Sequence, residues 1–427
     1  MEIHQIHHLF LESSGVSTDT RNIKQNSLFF ALKGKNFNGN KFAYQALKNG
    51  AKYAVIDETV NPIDERYIVV KNVLETLQTL ASFHRKHLRL PIIALTGSNG
   101  KTTTKELIHA ALKPHFKTVA TVGNLNNHIG VPLTLLRMTA DTEIGIVEMG
   151  ANHSKEIDLL CNIAQPNIGY ITNFGKAHLE GFGSEEGVMK AKSELYDYLK
   201  VNSGIIILNS DDPKQVAQVG GYDNVYTFSE SLEAAVNIKL TETQPFLSLE
   251  FKNTAINTHL VGVYNFHNIA AALAIGTYYK LTPLKLKNEI EAYVPANNRS
   301  QIIQQNSNEI LLDAYNANPS SMEVALENFK GIQNQNKLAI LGDMFELGAT
   351  SAREHLTVVN QAVLIKDCSF YFVGTHFFEQ HTEHSTLLFF ETFQELQIHL
   401  EKTTILNTSI LIKGSRGMAL ERALRLI

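Results

Sequence analysis

Short apolar runs alternate with amphipathic stretches along the whole chain. Up to about residue 88 the runs LFFAL (28–32), YAVID (53–57) and YIVV (67–70) are separated by amphipathic segments, which predicts a small α/β unit. Val73, Leu77, Leu80 and Phe83 recur at helical spacing, so the stretch ending at Leu88 is expected to be a helix leading into a second domain. From about 89 to 295, the runs IIAL (92–95), IGIVE (144–148), IGYI (168–171) and IIILN (205–209) alternate with helical segments. Strands this uniformly apolar, bounded by helices, imply a mostly parallel sheet covered on both faces. From about 296 the arrangement repeats with EILLD (309–313), LAILG (338–342), FYFVG (370–374) and ILIK (410–413). That is a doubly wound pattern, in which ligands gather at the C-terminal ends of the strands. The expected fold is therefore α/β in three domains: 1–88, a small α/β domain; 89–295, a central domain; and 296–427, a Rossmann-like domain. His4, His7 and His8 follow helical spacing with no acidic partner nearby and are expected to form an exposed helix face.

Composition narrows the class without naming a function. A chain of 427 residues exceeds one compact core. Its 44% hydrophobic and 19% charged content is that of an ordinary globular protein. A formal net charge of −4 gives no general footprint for nucleic acid. No apolar run approaches the roughly 20 residues of a membrane-spanning helix. The first residues, MEIHQIHHLFLESS, lack the layout of a signal peptide. The two cysteines, Cys161 and Cys368, stand far apart and form neither a disulfide framework nor a zinc site, as expected of a cytoplasmic protein.

The most specific motif is IIALTGSNGKTTTKELIHAAL at 92–112. An apolar strand runs into Gly97, Ser98, Asn99, Gly100, Lys101, Thr102 and Thr103, and a helical pattern follows. Glycines let the backbone turn its N–H groups toward phosphate oxygens, and the helix N-terminus adds its positive dipole end. Lys101 would reach the β- and γ-phosphates of ATP, and the Thr102 hydroxyl would ligate Mg²⁺. Position 95 is Leu where the strict phosphate-loop spacing has Gly, so this is a shortened form in an intact strand–loop–helix context. Glu148 ends a buried run and sits where a second, carboxylate ligand to Mg²⁺ belongs. His178 follows the next strand and, from its own context, could equally be an exposed loop histidine. Spacing alone does not separate Lys192 from Lys190 or Lys200, which favours a solvated helix face.

Taken in order, GSNGKTTTK, VEMGA, ITNFGKAHLEGFGS and AKSE resemble the Mur ligase family, and the similarity covers essentially the whole chain. The resemblance implies an ATP-dependent amide-bond-forming ligase working through an acyl phosphate with two Mg²⁺ ions. Thr102 and Glu148 would serve the first ion. His178 and a carbamate formed by CO₂ on Lys192 would serve the second. NFHNIAAAL (265–273) resembles the family's adenine-contacting segment, which assigns Asn268 to the base; NNRSQII (297–303) offers Arg299 to the γ-phosphate; and Asp313 matches a nucleotide-side acid.

Three signatures, DAYNANPSSM (313–322), LGDMFELG (341–348) and LIKGSRGM (411–418), resemble the branch that adds D-alanyl-D-alanine to a UDP-N-acetylmuramoyl-tripeptide in peptidoglycan precursor synthesis. Within the first, Ser320 and Glu323 fit a capping box. In the last, Lys413, Ser415 and Arg416 gather cationic charge suited to the dipeptide carboxylate. STDTR (17–21) and LFFALKG (28–34) resemble a uridine-nucleotide domain, with Ser17, Thr20, Arg21 and Gly34 as candidate contacts. Asn40 stands where a histidine is common in the family. GNLNNHIGVPLTLL (123–136) resembles the muramoyl-substrate loop, with Asn126 and Asn127 as contacts. A monomer is expected. Two other readings stay open: a sibling or folylpolyglutamate-type ligase that adds a single amino acid, and a phosphate-loop ATPase whose other domains only bind partners. The tripeptide's third residue, lysine or diaminopimelate, is not distinguished.

Overall fold

Each apolar run becomes a strand, most of them buried, and these strands collect into three larger sheets in chain order, with a two-stranded antiparallel sheet of Lys33–Gly34 and Phe37–Asn38 beside the first. The computed structural model describes residues 1–296 and 298–427; Asn297, which opens the NNRSQII segment, lies outside them. The first sheet is parallel, in the order Val16–Ser17, Leu28–Phe30, Tyr53–Ile56, Tyr67–Val69. Helix Val73–Leu88 follows; the Asn72 side chain accepts from the Glu75 N–H to start it, and Arg89 in the left-handed region (φ 55°) ends it.

Helix Ile3–Leu11 packs on Val73–Leu88, and that contact overturns the exposed histidine face. His4 and His8 stay exposed, but His7 is buried and its Nε2 lies 3.0 Å from Nδ1 of the equally buried His84. His84 Nε2 is in turn 2.9 Å from the Met138 carbonyl. Ile6, His7 and Phe10 form the inward stripe, so spacing selected a face correctly but not its surroundings.

The second sheet has nine strands. Seven are parallel, in the order Val236–Glu242, Val225–Ser229, Ile205–Asn209, Ile168–Ile171, Ile92–Thr96, Ile144–Glu148, Thr118–Ala120. Beyond Val236–Glu242, the strands Ser248–Phe251 and Thr254–Asn257 continue it antiparallel. This extension alternates buried and exposed positions, as a sheet with one wet face does. Central strand Ile92–Thr96 is buried throughout, and its C-terminal end delivers the phosphate loop.

The third sheet runs Gln301–Gln305, Asn308–Asp313, Ser409–Lys413, Lys337–Gly342, Ser369–Val373, Leu387–Phe390, with only the first pair antiparallel. Helix Pro319–Lys330 starts two residues earlier than the capping box at Ser320 and Glu323 predicts. Asn318 is the cap and Ser321 its reciprocal partner, because Pro319 has the fixed φ and missing N–H that suit the first helical position. Among the described residues no helix is long and apolar enough to cross a membrane.

Candidate active site

The C-terminal ends of the second and third sheets face one cleft of about 1050 Å³, the upper end of the usual range for a ligand site. Its floor is the phosphate loop. Gly97 has φ +141°, and a Cβ there would fall 2.0 Å from Thr172 Oγ1; Gly100 has φ +78°, and its Cβ would meet Asn268 Oδ1 at 2.6 Å. Only glycine fits either position. The loop is braced by the segment after strand Ile168–Ile171: Thr172 Oγ1 donates to the Asn99 carbonyl at 2.6 Å, the Asn99 N–H donates to Asn173 Oδ1 at 3.1 Å, and Ser98 Oγ donates to the Gly175 carbonyl at 2.8 Å. Lys101 folds back over its loop, donating to the Gly97 and Ser98 carbonyls at 2.7 and 3.1 Å. Burial pushes its ammonium down to about 8, against the pull of Glu148. Thr103 follows on the first turn and also lines the cleft.

Glu148 is 1% exposed, and among the described residues no lysine, arginine or histidine lies within ion-pair distance of it. Thr102 Oγ1 donates to one of its oxygens at 2.9 Å and Asn126 Nδ2 to the other at 2.8 Å. A buried carboxylate with neutral donors and no counter-ion, beside a hydroxyl, fits a hard divalent cation. Two residues not singled out from the sequence, Thr121 and Lys105, support the Glu148 backbone. The Glu148 N–H donates to Thr121 Oγ1 at 3.0 Å, and fully buried Lys105 donates to the Thr121 carbonyl at 2.7 Å.

Lys192 is 1% exposed, so the solvated helix face that spacing favoured is wrong. Its Nζ donates to the Ala151 carbonyl at 3.0 Å and stands 5.0 Å over the Phe182 ring. Burial, reinforced by the Lys101 charge, pushes this amine well below its ordinary value, with Glu156 and Glu194 opposing. That shift favours the neutral amine, which is the form able to add CO₂. His178 also meets Phe182, edge to face with ring centroids 6.4 Å apart, and pairs through Nδ1 with Glu346 of the third sheet's loops. That hydrogen bond holds the Glu346 carboxyl below its usual range. Both residues have positive φ, 52° and 61°, so the contact is kept at some backbone strain.

The loops of the third sheet reach the phosphate loop directly. Asn318 Nδ2 donates to Asn99 Oδ1 at 2.8 Å, and the Lys176 N–H donates to Ser320 Oγ at 2.8 Å. Arg299 lies between Asn298 and Ser300, both at positive φ, and its guanidinium stacks 3.6 Å over Tyr315. Tyr264 Oη and Ser300 Oγ, 2.8 Å apart, tie this segment to the central domain, and the Ser300 N–H donates to Asp313 Oδ1 at 3.1 Å.

Several predicted contacts already have protein partners. Asp313 Oδ2 accepts from Lys413 Nζ at 2.5 Å, so Lys413 is not a free cation beside Arg416. Ser415 Oγ accepts from the Phe345 N–H at 2.9 Å, tying the last two signatures together. Arg416 is largely exposed and pairs with Glu421 at 2.9 Å. Asn127 Oδ1 accepts from the Ile129 and Gly130 N–H groups at 3.1 and 2.9 Å, a turn-forming role. Asn268 is buried between Thr104 and Asn265. Ser17 lies on the first sheet, Thr20 and Arg21 on the short helix after it, and Gly34 on the separate two-stranded sheet with Phe37–Asn38, all outside the cleft lining. Arg21 there pairs with Asp19 at 2.6 Å. Asn40, in place of the common histidine, donates to Asp57 Oδ1 at 2.8 Å and accepts from the Asp57 N–H at 3.1 Å.

Comparison with known proteins agrees along the chain. Residues 12–85 match the Mur ligase family catalytic domain, 95–276 the Mur ligase middle domain, and 298–416 the Mur ligase glutamate ligase domain. The UDP-N-acetylmuramoyl-tripeptide--D-alanyl-D-alanine ligase of Bacillus subtilis is 33% identical over 422 residues, spanning 96% of this chain and 92% of the relative. The Escherichia coli protein of the same name is 34% identical over 434 residues, with the same two shares. The crystal structure of MurF ligase from Thermotoga maritima in complex with ADP superposes with a TM-score of 0.85 at 26% identity, covering 98% of this chain and 97% of that one.

Proposed function

From a chain that belongs to the Mur ligase family, as its full-length relatives establish, we infer how the cleft divides its work. The protein is an ATP-dependent, ADP-forming ligase that joins D-alanyl-D-alanine to UDP-N-acetylmuramoyl-tripeptide in peptidoglycan precursor synthesis. The division of labour is the proposal. The observation that carries it is the uncompensated Glu148–Thr102 pair at the mouth of a glycine-lined phosphate loop.

The tripeptide's terminal carboxylate attacks the γ-phosphorus of ATP; a P–O bond forms as the bond to ADP breaks, leaving an acyl phosphate. Backbone N–H groups of Ser98 to Thr103 and the Lys101 ammonium hold the phosphates. Phosphate contact draws Lys101 off the Gly97 and Ser98 carbonyls and favours its charged form. Arg299 adds positive charge from the domain linker, where charge develops during transfer. Two Mg²⁺ ions, when bound, neutralise the phosphate oxygens and align the attacking carboxylate. Thr102 and Glu148 would hold one; His178, released from Glu346, and a carbamate on Lys192 would hold the other.

The dipeptide amine then attacks the acyl carbon, sheds a proton, and expels phosphate. Arg416 takes the dipeptide carboxylate, with Lys413 behind it and Ser415 fixing the loop. Asn126 and Asn127 shape the muramoyl side, Asn268 and Asp313 support the nucleotide, and Ser17, Thr20, Arg21 and Gly34 of the first domain receive the UDP group. Closure of the third domain over the cleft excludes water from the acyl phosphate. The enzyme works as a cytoplasmic monomer.

Omitting one substrate at a time tests this scheme. ADP release should require ATP, the UDP-tripeptide and D-alanyl-D-alanine together, and the product mass should equal tripeptide plus dipeptide less water. Sustained ADP release without a peptide substrate would instead establish an uncoupled ATPase and refute the scheme.

A further inference from the structure

The proposed ATP site has one end that the phosphate and metal residues leave unused. Beyond Asn268 the cleft is bounded by Asn209, at the end of strand Ile205–Asn209, by the Asp211–Pro213 turn, and by His267, on the first turn of helix Tyr264–Tyr278. Asn268 lines the cleft but is already engaged by the protein. It is 5% exposed, its Oδ1 accepts from Thr104 Oγ1 at 2.9 Å, and its Nδ2 donates to Asn265 Oδ1 at 2.8 Å. The same Oδ1 fills the space beside Gly100, so Asn268 braces the phosphate loop against the helix. The two carboxylates at this end are also engaged. Asp211 accepts from the Ser229 and Ser231 hydroxyls and the Glu230 N–H, and Asp212 caps helix Pro213–Val219.

His267 differs. Buried Asn209 accepts from the Asp211 N–H through Oδ1 at 3.1 Å, which turns its Nδ2 toward His267 Nδ1 at 3.4 Å. An amide N–H facing Nδ1 makes that nitrogen the acceptor and leaves the ring proton on Nε2. Burial, against the pull of Asp211, Asp212 and Glu230, lowers the ring's proton affinity and favours this neutral tautomer. Nε2–H is then a half-buried donor on the cleft lining with no protein partner among the described residues.

We propose that His267, held by Asn209, selects the nucleotide base by donating from Nε2–H to the unprotonated N1 of adenine. In guanine and hypoxanthine the same ring atom carries a hydrogen, so donor would face donor and a desolvated N–H would go unpaired. This proposal rests on the ATP reading of the cleft.

Calorimetric titration of the full chain with Mg²⁺ and three nucleotides separates the two. ATP and purine riboside triphosphate both present an acceptor at N1, although the second lacks the 6-amino group; ITP presents a donor. Wild type should bind ITP at least about tenfold more weakly than purine riboside triphosphate, the equivalent of ~1.4 kcal/mol. His267→Leu should bring that ratio to within about threefold, and Asn209→Leu should move it the same way by freeing the tautomer. A His267→Leu protein that binds ATP with the wild-type ratio would overturn the proposal while leaving the ATP site standing. A wild-type chain that binds none of the three would overturn both. If His267→Leu fails to fold, His267→Gln, which retains a side-chain N–H donor, decides: it should keep a preference for purine riboside triphosphate over ITP, and loss of all preference would overturn the assignment.

Discussion

Removing the Asp313 carboxylate should destabilise the third domain far more than removing both members of its ion pair. Asp313 and Lys413 are register partners on adjacent parallel strands, and their side chains meet at 2.5 Å. The Lys413 side chain is 2% exposed and that of Asp313 18%. Its remaining protein contact is the Asn316 carbonyl at 3.4 Å, a weak bond. Asp313→Asn therefore strands a buried ammonium. Breaking a buried pair from one side costs about 3–5 kcal/mol, and the partial opening of Asp313 to solvent argues for the lower end, ~3 kcal/mol. The amide can still accept from the Ser300 N–H, so that bond is not counted as lost. Lys413→Met alone should cost less, ~1–2 kcal/mol, because the remaining carboxylate reaches solvent. The double variant buries no charge and should return to within ~1 kcal/mol of wild type, giving a coupling energy of ~3 kcal/mol. Because three sheets need not unfold together, the local readout is amide hydrogen exchange in Asn308–Asp313 and Ser409–Lys413, alongside urea unfolding. A loss below about 1 kcal/mol in Asp313→Asn, or additive single effects, would refute the argument and return Lys413 to the role of a free substrate-binding cation.

Other consequences can be checked separately. Lys192→Met should lower kcat by about 10²-fold or more, with partial rescue by added short-chain carboxylates; full unsupplemented activity would exclude the carbamate. The same variant should be no less stable than wild type at pH 7, because it removes a buried amine that, among the described residues, bonds only the Ala151 carbonyl and has no carboxylate within ion-pair distance. Glu148→Gln should reduce turnover by about 10²-fold at saturating ATP and raise the Mg²⁺ concentration needed for half-maximal rate, measured by coupled ADP release. His7, pushed down to about 4 mainly by burial and also by His84 and His87, takes up its proton more readily in the unfolded chain. Stability should therefore fall as pH drops from about 6.5 to about 4 and level off below, and His7→Phe should flatten that slope in urea titrations.

The sheets were legible because their central strands are continuously apolar and their helices periodic. All four central runs and all four late runs lie in strands, apart from Gly374, which ends its run just past strand Ser369–Val373. The antiparallel hairpins past Ser229 escaped because half their positions face water and read as polar loop. The phosphate loop was legible because glycine, lysine and threonine do its work within a few residues. Lys192 was not: its burial depends on Ala151 and Phe182, one of them 41 residues away, and no local pattern encodes that. The same holds for Lys105 with Thr121, for Asn126 with Glu148, and for the joining of His178 to Glu346 across 168 residues. Asn126 shows a second limit, because a polar side chain singled out for substrate can also be engaged in orienting a buried carboxylate, here that of Glu148.

The central claim is that the tripeptide's carboxylate becomes a mixed anhydride with phosphate inside this cleft. Tripeptide carrying ¹⁸O in both oxygens of its terminal carboxylate, turned over with unlabelled ATP and D-alanyl-D-alanine, tests it by mass spectrometry of the phosphate released. One labelled oxygen per phosphate is expected, since the bond that transfers it forms in the first step and is left with the phosphate in the second. Phosphate released without label would contradict the account.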